Sequence, residues 1–449
     1  MSEAGLSWFG IVRLGLVQAA IGSIVVIATS TINRVMVVEL ALPAVIPGLL
    51  VALHHAVQIM RPRLGHGSDG GQRRTPWIVG GMALLGAASV AAAAAVPLME
   101  ADRTLGLLLA VVAFTFIGIG VGTAGTTLLA MLAKRVAPGR RAASGTIVWT
   151  MMIAGIAITA HNAGKAMQPY SPALLVEVTA LVAAGALVLT VLALFGIERD
   201  PPPAHDDARE VPFREAFAEA WADLRARRFT FFVFLSMLAY STQDLVLEPY
   251  AGTVFGLDPG GTTILTGRQH VGVLVGMIVV GIAGSGVLGA KLGGFRTWTI
   301  AGCLLSALAL AGLAFGGLSA GSHPLVANVI ALGAANGAYA VAAIGAMMGL
   351  AAERGAREGV RMGLFGAAQA VAFAAGDVLG PLSSDIATLF TESPGASYAA
   401  VFLMQAMLFV ASALLAARIF DREPARRAEQ EKADMGPLGA LARQATKGG

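Results

Sequence analysis

The chain has 449 residues, of which 56% are hydrophobic and 13% charged, with 56 glycines and one cysteine; its mean hydropathy is +0.73. Soluble domains are about a quarter charged, so a surface this poor in charge cannot be wetted and the sequence predicts an integral membrane protein. The lone Cys303 excludes a disulfide framework and a cysteine-cluster metal site, and a net charge of +4 is too small to point to nucleic acid.

Apolar runs of about 17 to 25 residues mark helices crossing a hydrocarbon core about 30 Å thick. Twelve are found, over residues 13–33, 41–60, 77–98, 104–132, 143–165, 172–195, 229–249, 262–284, 297–317, 324–349, 361–386 and 398–420. The first contains Arg13 and Gln18 and is followed by no small-residue cleavage site, which predicts a retained span. With these spans only Arg34, Arg103, Lys165 and Arg268 fall opposite the N-terminus, and the other 27 of the 31 basic residues share its side. The positive-inside rule then predicts that both termini are cytoplasmic.

A hydrophilic stretch over 196–228, opening with Pro201, Pro202 and Pro203, divides a six-span half at 1–195 from a second at 229–420. Within it Phe213, Phe217, Trp221 and Leu224 recur at spacings of four, four and three, an apolar stripe that predicts a helix lying on the membrane face. The tail over 421–449 is polar and expected to be mobile. Arg74-Thr75-Pro76-Trp77 opens the third span and Arg296-Thr297-Trp298 the ninth, while Pro138-Gly139-Arg140-Arg141 resembles Arg354-Gly355-Ala356-Arg357 before the fifth and eleventh. This repeat predicts an all-α membrane protein of twelve transmembrane helices in two pseudo-symmetric halves, the arrangement of the major facilitator superfamily.

The loop between the second and third spans places Gly65, Asp69, Arg73 and Arg74 at relative positions one, five, nine and ten. That pattern resembles the cytoplasmic signature of the superfamily, which implies that the acid meets basic groups and a helix N-terminus where the halves join. Gln72 stands at the usual glycine position, and the second half has Lys291 in place of the acid. As a basic cytoplasmic turn the loop would also obey the positive-inside rule.

QDLVLEPYAGTVFGLDPGGTTILT from Gln243, NRVMVVELALPAVIPGLLVALHHAVQ from Asn33, the GHGSDGGQRRTPWIVGG loop and AKRVAPGRRAASGTIVWTMMIAG from Ala133 together resemble the PucC, or bacteriochlorophyll-delivery, family. The resemblance runs along nearly the whole chain. It implies a protein of the bacterial inner, or intracytoplasmic photosynthetic, membrane that serves light-harvesting antenna polypeptides or a reaction-centre antenna complex. It also implies bacteriochlorophyll a as ligand and membrane lipid as surroundings.

Charges inside spans are costly and are therefore candidates for function. Asp244 and Glu248 stand four apart on one helical face near the expected outer end of the seventh span, which Pro249 is expected to end. They read either as a protonatable pair or ligand anchor, or as structural partners of Arg34 and Arg268; Glu177 and Lys165 invite the same pair of readings. Neutral imidazole can fill the open axial position of a chlorin magnesium, and His54, His55, His161 and His270 lie within or beside spans, with His54 or His55 the first choice. Each reads equally as a histidine bonded to a neighbouring helix. Gly118, Gly120, Gly122, Gly125, Gly145 and Gly155 either permit close helix contact or leave room for a flat macrocycle.

Three functions follow for comparison. The family resemblance favours a pigment-handling assembly factor; a secondary transporter or flippase of a lipophilic solute is the alternative, weakened by the expected absence of ionisable residues from the middle of spans one, four, seven and ten. A prenyl transferase for bacteriochlorophyllide needs aspartates four apart to hold a diphosphate's magnesium, and neither Asp206 with Asp207 nor Asp69 supplies that spacing. The sequence is therefore read as that of a non-enzyme without a protein-bound metal cluster.

Overall fold

In a computed structural model, residues 6–58, 73–137, 140–198, 221–284, 294–319, 323–352 and 358–420 are described. Gly65, Asp69, Gly71, Gln72 and Lys291 of the two signature loops, Phe213 and Phe217, and the tail lie outside them. The architecture is all-helical: α1 (Trp8–Val38), α2 (Val45–Val57), α3 (Thr75–Ala101), α4 (Arg103–Arg135), α5 (Arg141–Ala166), α6 (Pro172–Leu194), α7 (Leu224–Phe255), α8 (Pro259–Gly284), α9 (Phe295–Leu318), α10 (Leu325–Ala352), α11 (Glu358–Thr388) and α12 (Pro394–Phe420). Ten have the length and apolarity to cross a membrane. The 13-residue α2 and the 31-residue α11 complete the twelve.

Local chemistry sets the helix ends. Ser7, Asp102 and Ser171 accept from Gly10, Leu105 and Leu174 backbone N–H groups at the starts of α1, α4 and α6, each satisfying a donor that the helix cannot. Gly196 and Gly256, at φ 74 and 68°, follow α6 and α7 in the left-handed region that glycine enters without strain. Pro249 was expected to end the seventh span; instead α7 runs six residues further, to Phe255, with Pro249 inside it. Residues 224–228, expected in a separate membrane-face helix, likewise belong to the start of α7.

Two large apolar clusters form, one running from Ile11 to Ile197 with Leu245 joined to it, the other from Phe229 to Ile419, with two small ones about Val273 and Val280 of α8. In the first half α1 packs on α5 and α6, α3 on α4 and α6, and α2 on α4; adding six to every helix number gives the packing of the second half. The seam between halves is built from α2 against α11 and α5 against α8, which the same operation exchanges. Thus the weak repeat in the sequence corresponds to a two-fold in the packing. Below, the proximal face is the one at which α1 begins, and the distal face is opposite.

In lipid no hydrophobic force drives one helix onto another, so contacts rest on close approach of backbones. Gly272 and Gly276 of α8 meet Gly333 and Gly337 of α10: a Cβ at Gly276 would stand 2.0 Å from the Ala334 carbonyl oxygen, and one at Gly337 2.1 Å from that of Val273. Gly164 and Gly260 make a similar contact across the α5–α8 seam. On the proximal face Glu198, just after α6, accepts from the Arg74 and Thr75 backbone N–H groups at 2.8 to 3.0 Å and so caps α3. Partial burial would raise the Glu198 pKa, but these hydrogen bonds, one from the Thr75 hydroxyl and the Arg135 charge outweigh it and hold it below the ordinary value.

Two outcomes follow. Gly276→Ala should lower stability by about 1–3 kcal/mol, as overpacking does, whereas Gly281→Ala, with open space beside it, should change little; thermal unfolding in detergent distinguishes them. Because the folded pKa of Glu198 is depressed, its stabilisation is present above the ordinary glutamate range and lost as pH falls through the folded value. Glu198→Gln should cost roughly 1 kcal/mol at neutral pH, reduced by solvent screening. Its penalty should vanish in acid; a pH-independent penalty in the melting series would contradict the capping role.

Candidate polar site at the seam

The deepest polar contact between the halves joins His55 of α2 to Asp377 of α11, with Nδ1 2.5 Å from Oδ2. Glycines bring the backbones together there. A Cβ at Gly48 of α2 would stand 2.5 Å from the Asp377 carbonyl oxygen, and Cβ atoms at Gly376 and Gly380 would stand 1.8 Å from Ser241 Oγ and 2.5 Å from the Thr242 carbonyl oxygen of α7. Pro381 lacks the N–H that would have bonded to Asp377 carbonyl oxygen one turn back, and Gly48 packs on that freed oxygen. The sequence reading passed over Asp377, although the rule applied to Asp244, a charge within an apolar run, selects it too.

Depth follows from helix rise. His55 is ten residues after the distal start of α2, and Asp244 and Asp377 are each eleven residues before the distal ends of α7 and α11. At 1.5 Å per residue all three lie about 15–16 Å from the distal face, near the middle of a core about 30 Å thick. The expectation that Asp244 lies near the outer end is therefore corrected, because α7 continues through Pro249. So is the expectation that the centre of the seventh span holds no ionisable group.

Tyr240, one turn before Asp244, meets the ring of Phe373, one turn before Asp377, edge-on at 6.1 Å. Phe373 in turn stacks on His55 at 5.6 Å and 27°. Asp377 is 3% exposed, whereas Asp244, Tyr240, Phe373 and His55 are half-buried. Among the described residues Asp244 has neither a hydrogen-bond donor nor a cationic partner. His54 is buried behind His55, their rings 4.3 Å apart, with its Nε2 3.0 Å from Gln58 Nε2 and its carbonyl oxygen against Gly118 of α4.

Asp244 and Glu248 do not act as one pair. Glu248 turns to α8, where its carboxylate accepts from Thr262 at 3.1 Å and from Thr266. Beside it Thr31 and Thr263 hydroxyls meet at 2.9 Å. Arg34 bonds to Glu39 and donates to the Leu257 carbonyl oxygen at 2.7 Å, while Arg268 is exposed, so neither forms the expected ion pair with Asp244 or Glu248. Pro249 removes the N–H that would have reached Leu245 carbonyl oxygen, and Asn33 Nδ2 fills that place at 2.9 Å. The proline is tolerated in mid-helix because α1 supplies the missing donor.

At the distal end Asp385, also passed over in the sequence, caps α2 across the seam through the Ala44 and Val45 N–H groups at 2.9 and 2.8 Å. His270 Nδ1 lies 2.9 Å from the Thr266 carbonyl oxygen of its own helix, not of a neighbouring one, and His161 is half-buried on α5. Lys165 and Glu177 are both exposed. Of the glycines, Gly118, Gly120 and Gly155 sit at backbone contacts, whereas Gly125 and Gly145 face open space. A separate groove of about 270 Å³ opens between α3 and α4, lined by Pro76, Trp77, Gly80, Gly81, Leu84 and Thr123. It is smaller than sites that enclose whole organic ligands. No group of three metal-ligating side chains occurs among the described residues.

If Asn33 replaces the N–H lost at Pro249, Asn33→Ala should cost about 1–3 kcal/mol, the penalty of an unmet buried carbonyl. In a Pro249→Ala background, where the helix can bond Leu245 itself, the cost should shrink. Equal penalties in both backgrounds, measured by unfolding in detergent, would contradict the substitution.

Comparison with known proteins is consistent in fold along the chain. A family model described as PUCC protein matches residues 31–423. The "Bacteriochlorophyll synthase 44.5 kDa chain" of Rhodobacter capsulatus is 50% identical over 414 residues, covering 92% of this chain and 95% of that one. "Protein PucC" of the same organism is 28% identical over 433 residues, 92% of each chain. Solved structures of the peptide transporter POT and the nucleoside transporter NupG superpose with TM-scores of 0.66 and 0.65 at 14 and 15% identity; they cover 93 and 92% of this chain and 97 and 100% of their own. At that identity the likeness is one of fold.

Proposed function

The chain belongs to the PucC family and has the major facilitator fold, and from that premise we propose that it is an assembly factor that holds bacteriochlorophyll for delivery to light-harvesting antenna polypeptides. The observation that carries this reading is the 50% identity, over nearly the full length, to a relative named for bacteriochlorophyll synthesis. That name describes an enzyme. We read this chain as handling the pigment without transforming it, since its aspartates lack the spacing that would hold a diphosphate's magnesium.

The seam offers side chains that fit a magnesium chlorin. Of the candidate histidines, His55 is the best suited: its side chain is 27% exposed, and Asp377 on Nδ1 fixes ring orientation as carboxylates do for metal-ligating imidazoles. Ligation would use Nε2. Phe373 and Tyr240 supply aromatic walls, and Gly125 and Gly145 leave room further along α4 and α5. The bound pigment would supply a Lewis-acidic magnesium; the protein's part is to orient it and exclude water.

A second reading, secondary transport of a lipophilic solute, gains support from the depth of Asp244, since an acid in mid-bundle is where transporters of this fold place substrate and ion sites.

Protein purified in mild detergent from a phototroph should carry near-infrared pigment bands and antenna polypeptides, and His55→Ala should lower bound pigment several-fold with membrane insertion intact. His54→Ala should have the smaller effect. A colourless protein that moves solute in proteoliposomes would establish the transporter instead. Turnover of bacteriochlorophyllide with a prenyl diphosphate would replace both readings with an enzyme.

A further inference from the structure

Three ionisable side chains at one depth, His55, Asp377 and Asp244, pose a charge-balance problem in a medium of low dielectric. An isolated charge there is neutralised or paired, because solvation it loses is not otherwise returned. One imidazole can balance one carboxylate. It cannot balance two, and Asp244 and Asp377 stand one turn beyond the Tyr240–Phe373 contact of the same two adjacent helices.

Among the described residues no other cation stands near: the ring of His54 lies 4.3 Å from that of His55, but its Nε2 accepts from the Gln58 amide and so keeps its lone pair. From α2 come His54 and His55; from α7, Tyr240 and Asp244, with Glu248 turned away to the threonines of α8; from α11, Asp377, with Asp385 two turns distal on the α2 backbone. Behind them stand Tyr339 of α10 and Cys303 of α9, neither cationic. α1 has no ionisable residue between Arg13 and Arg34, and α4 none between Arg103 and Lys134. Arg34 is engaged at the distal end by Glu39 and Leu257.

We propose that this cluster is a proton-binding site, in which His55 and Asp377 form an ion pair bridging the two halves and Asp244 is held as the carboxylic acid. The 2.5 Å separation of His55 and Asp377 suits a charge-assisted bond, which assigns the ion pair to Asp377. Asp244, half-buried and lacking a donor or counter-ion among the described residues, is left to take up the remaining proton. Release of that proton leaves one net negative charge beside the seam. The ligand of the site is thus a single proton, a small cation that needs one lone pair and no cage of ligands, in keeping with the lack of any group of three metal-ligating side chains among the described residues.

The test uses the full chain purified without pigment, so it is independent of whether the chain handles bacteriochlorophyll. Infrared difference spectra between pH steps, in H2O and D2O, should show the carbonyl stretch of a protonated carboxylic acid that Asp244→Asn removes and that Glu248→Gln, at the other buried acid of α7, leaves in place. His55→Gln removes the balancing cation, so Asp377 should also become protonated and the signal should about double. Unfolding temperature and circular dichroism confirm that the variants are folded. A signal that Asp244→Asn leaves intact, or that His55→Gln leaves unchanged, would overturn the proposal. So would its loss when sodium replaces choline at constant pH, since the bound ion would then be sodium.

Discussion

The pairing of His55 with Asp377 ties the two halves at the level where the membrane is least forgiving of polar groups. A buried pair of this kind stabilises little in itself, because desolvation offsets most of the attraction, yet breaking it by removing one partner leaves an uncompensated group. Its consequence is specificity of arrangement: α2 and α11 are held in one register, with Phe373 stacked on His55 and met edge-on by Tyr240. From there to the distal face the seam is fastened further by Asp385 on the α2 start, Asn33 on Leu245 and Thr31 on Thr263. The chemistry of the seam and its mechanics are therefore one subject.

Small residues and prolines make this possible. Gly48, Gly376 and Gly380 allow three backbones to meet around Asp377, and Pro249 and Pro381 each free a carbonyl one turn earlier that a neighbouring helix then covers. In water such a freed carbonyl would be met by solvent. In lipid it must be met by protein, so the prolines act as points where one helix requires another. Protonation and pigment ligation at His55 also exclude one another, because an imidazolium has no lone pair for magnesium. A site that carries a proton in the absence of pigment thus has a built-in means of responding to its arrival.

Much of the fold was legible in the sequence. The length and spacing of apolar runs and the matching openings at Arg74 and Arg296 point to twelve helices in two halves, because the bilayer imposes both length and apolarity. The site was legible only in parts. Asp244 and His55 were selectable as polar residues within spans, but periodicity along one helix cannot say which neighbour each will face: Tyr240, one turn before Asp244, meets α11 and Glu248 turns to α8, though they share a helix. Depth was misjudged for one reason, the reading of Pro249 as a terminator. A proline ends a helix only where nothing else supplies the lost donor, and that donor, Asn33, is 216 positions away in the sequence.

Taken together, a seam polar at mid-depth and aromatic beside it is the feature on which the functional account turns. A density map of the protein purified from phototrophic cells, detailed enough to show side chains and a tetrapyrrole ring, tests that most directly. The account predicts a chlorin at the seam, against Phe373 and coordinated from His55, with α2 and α11 still meeting at Asp377. Chlorin density confined to the lipid-facing surface, such as the groove between α3 and α4, with the seam empty, would contradict it.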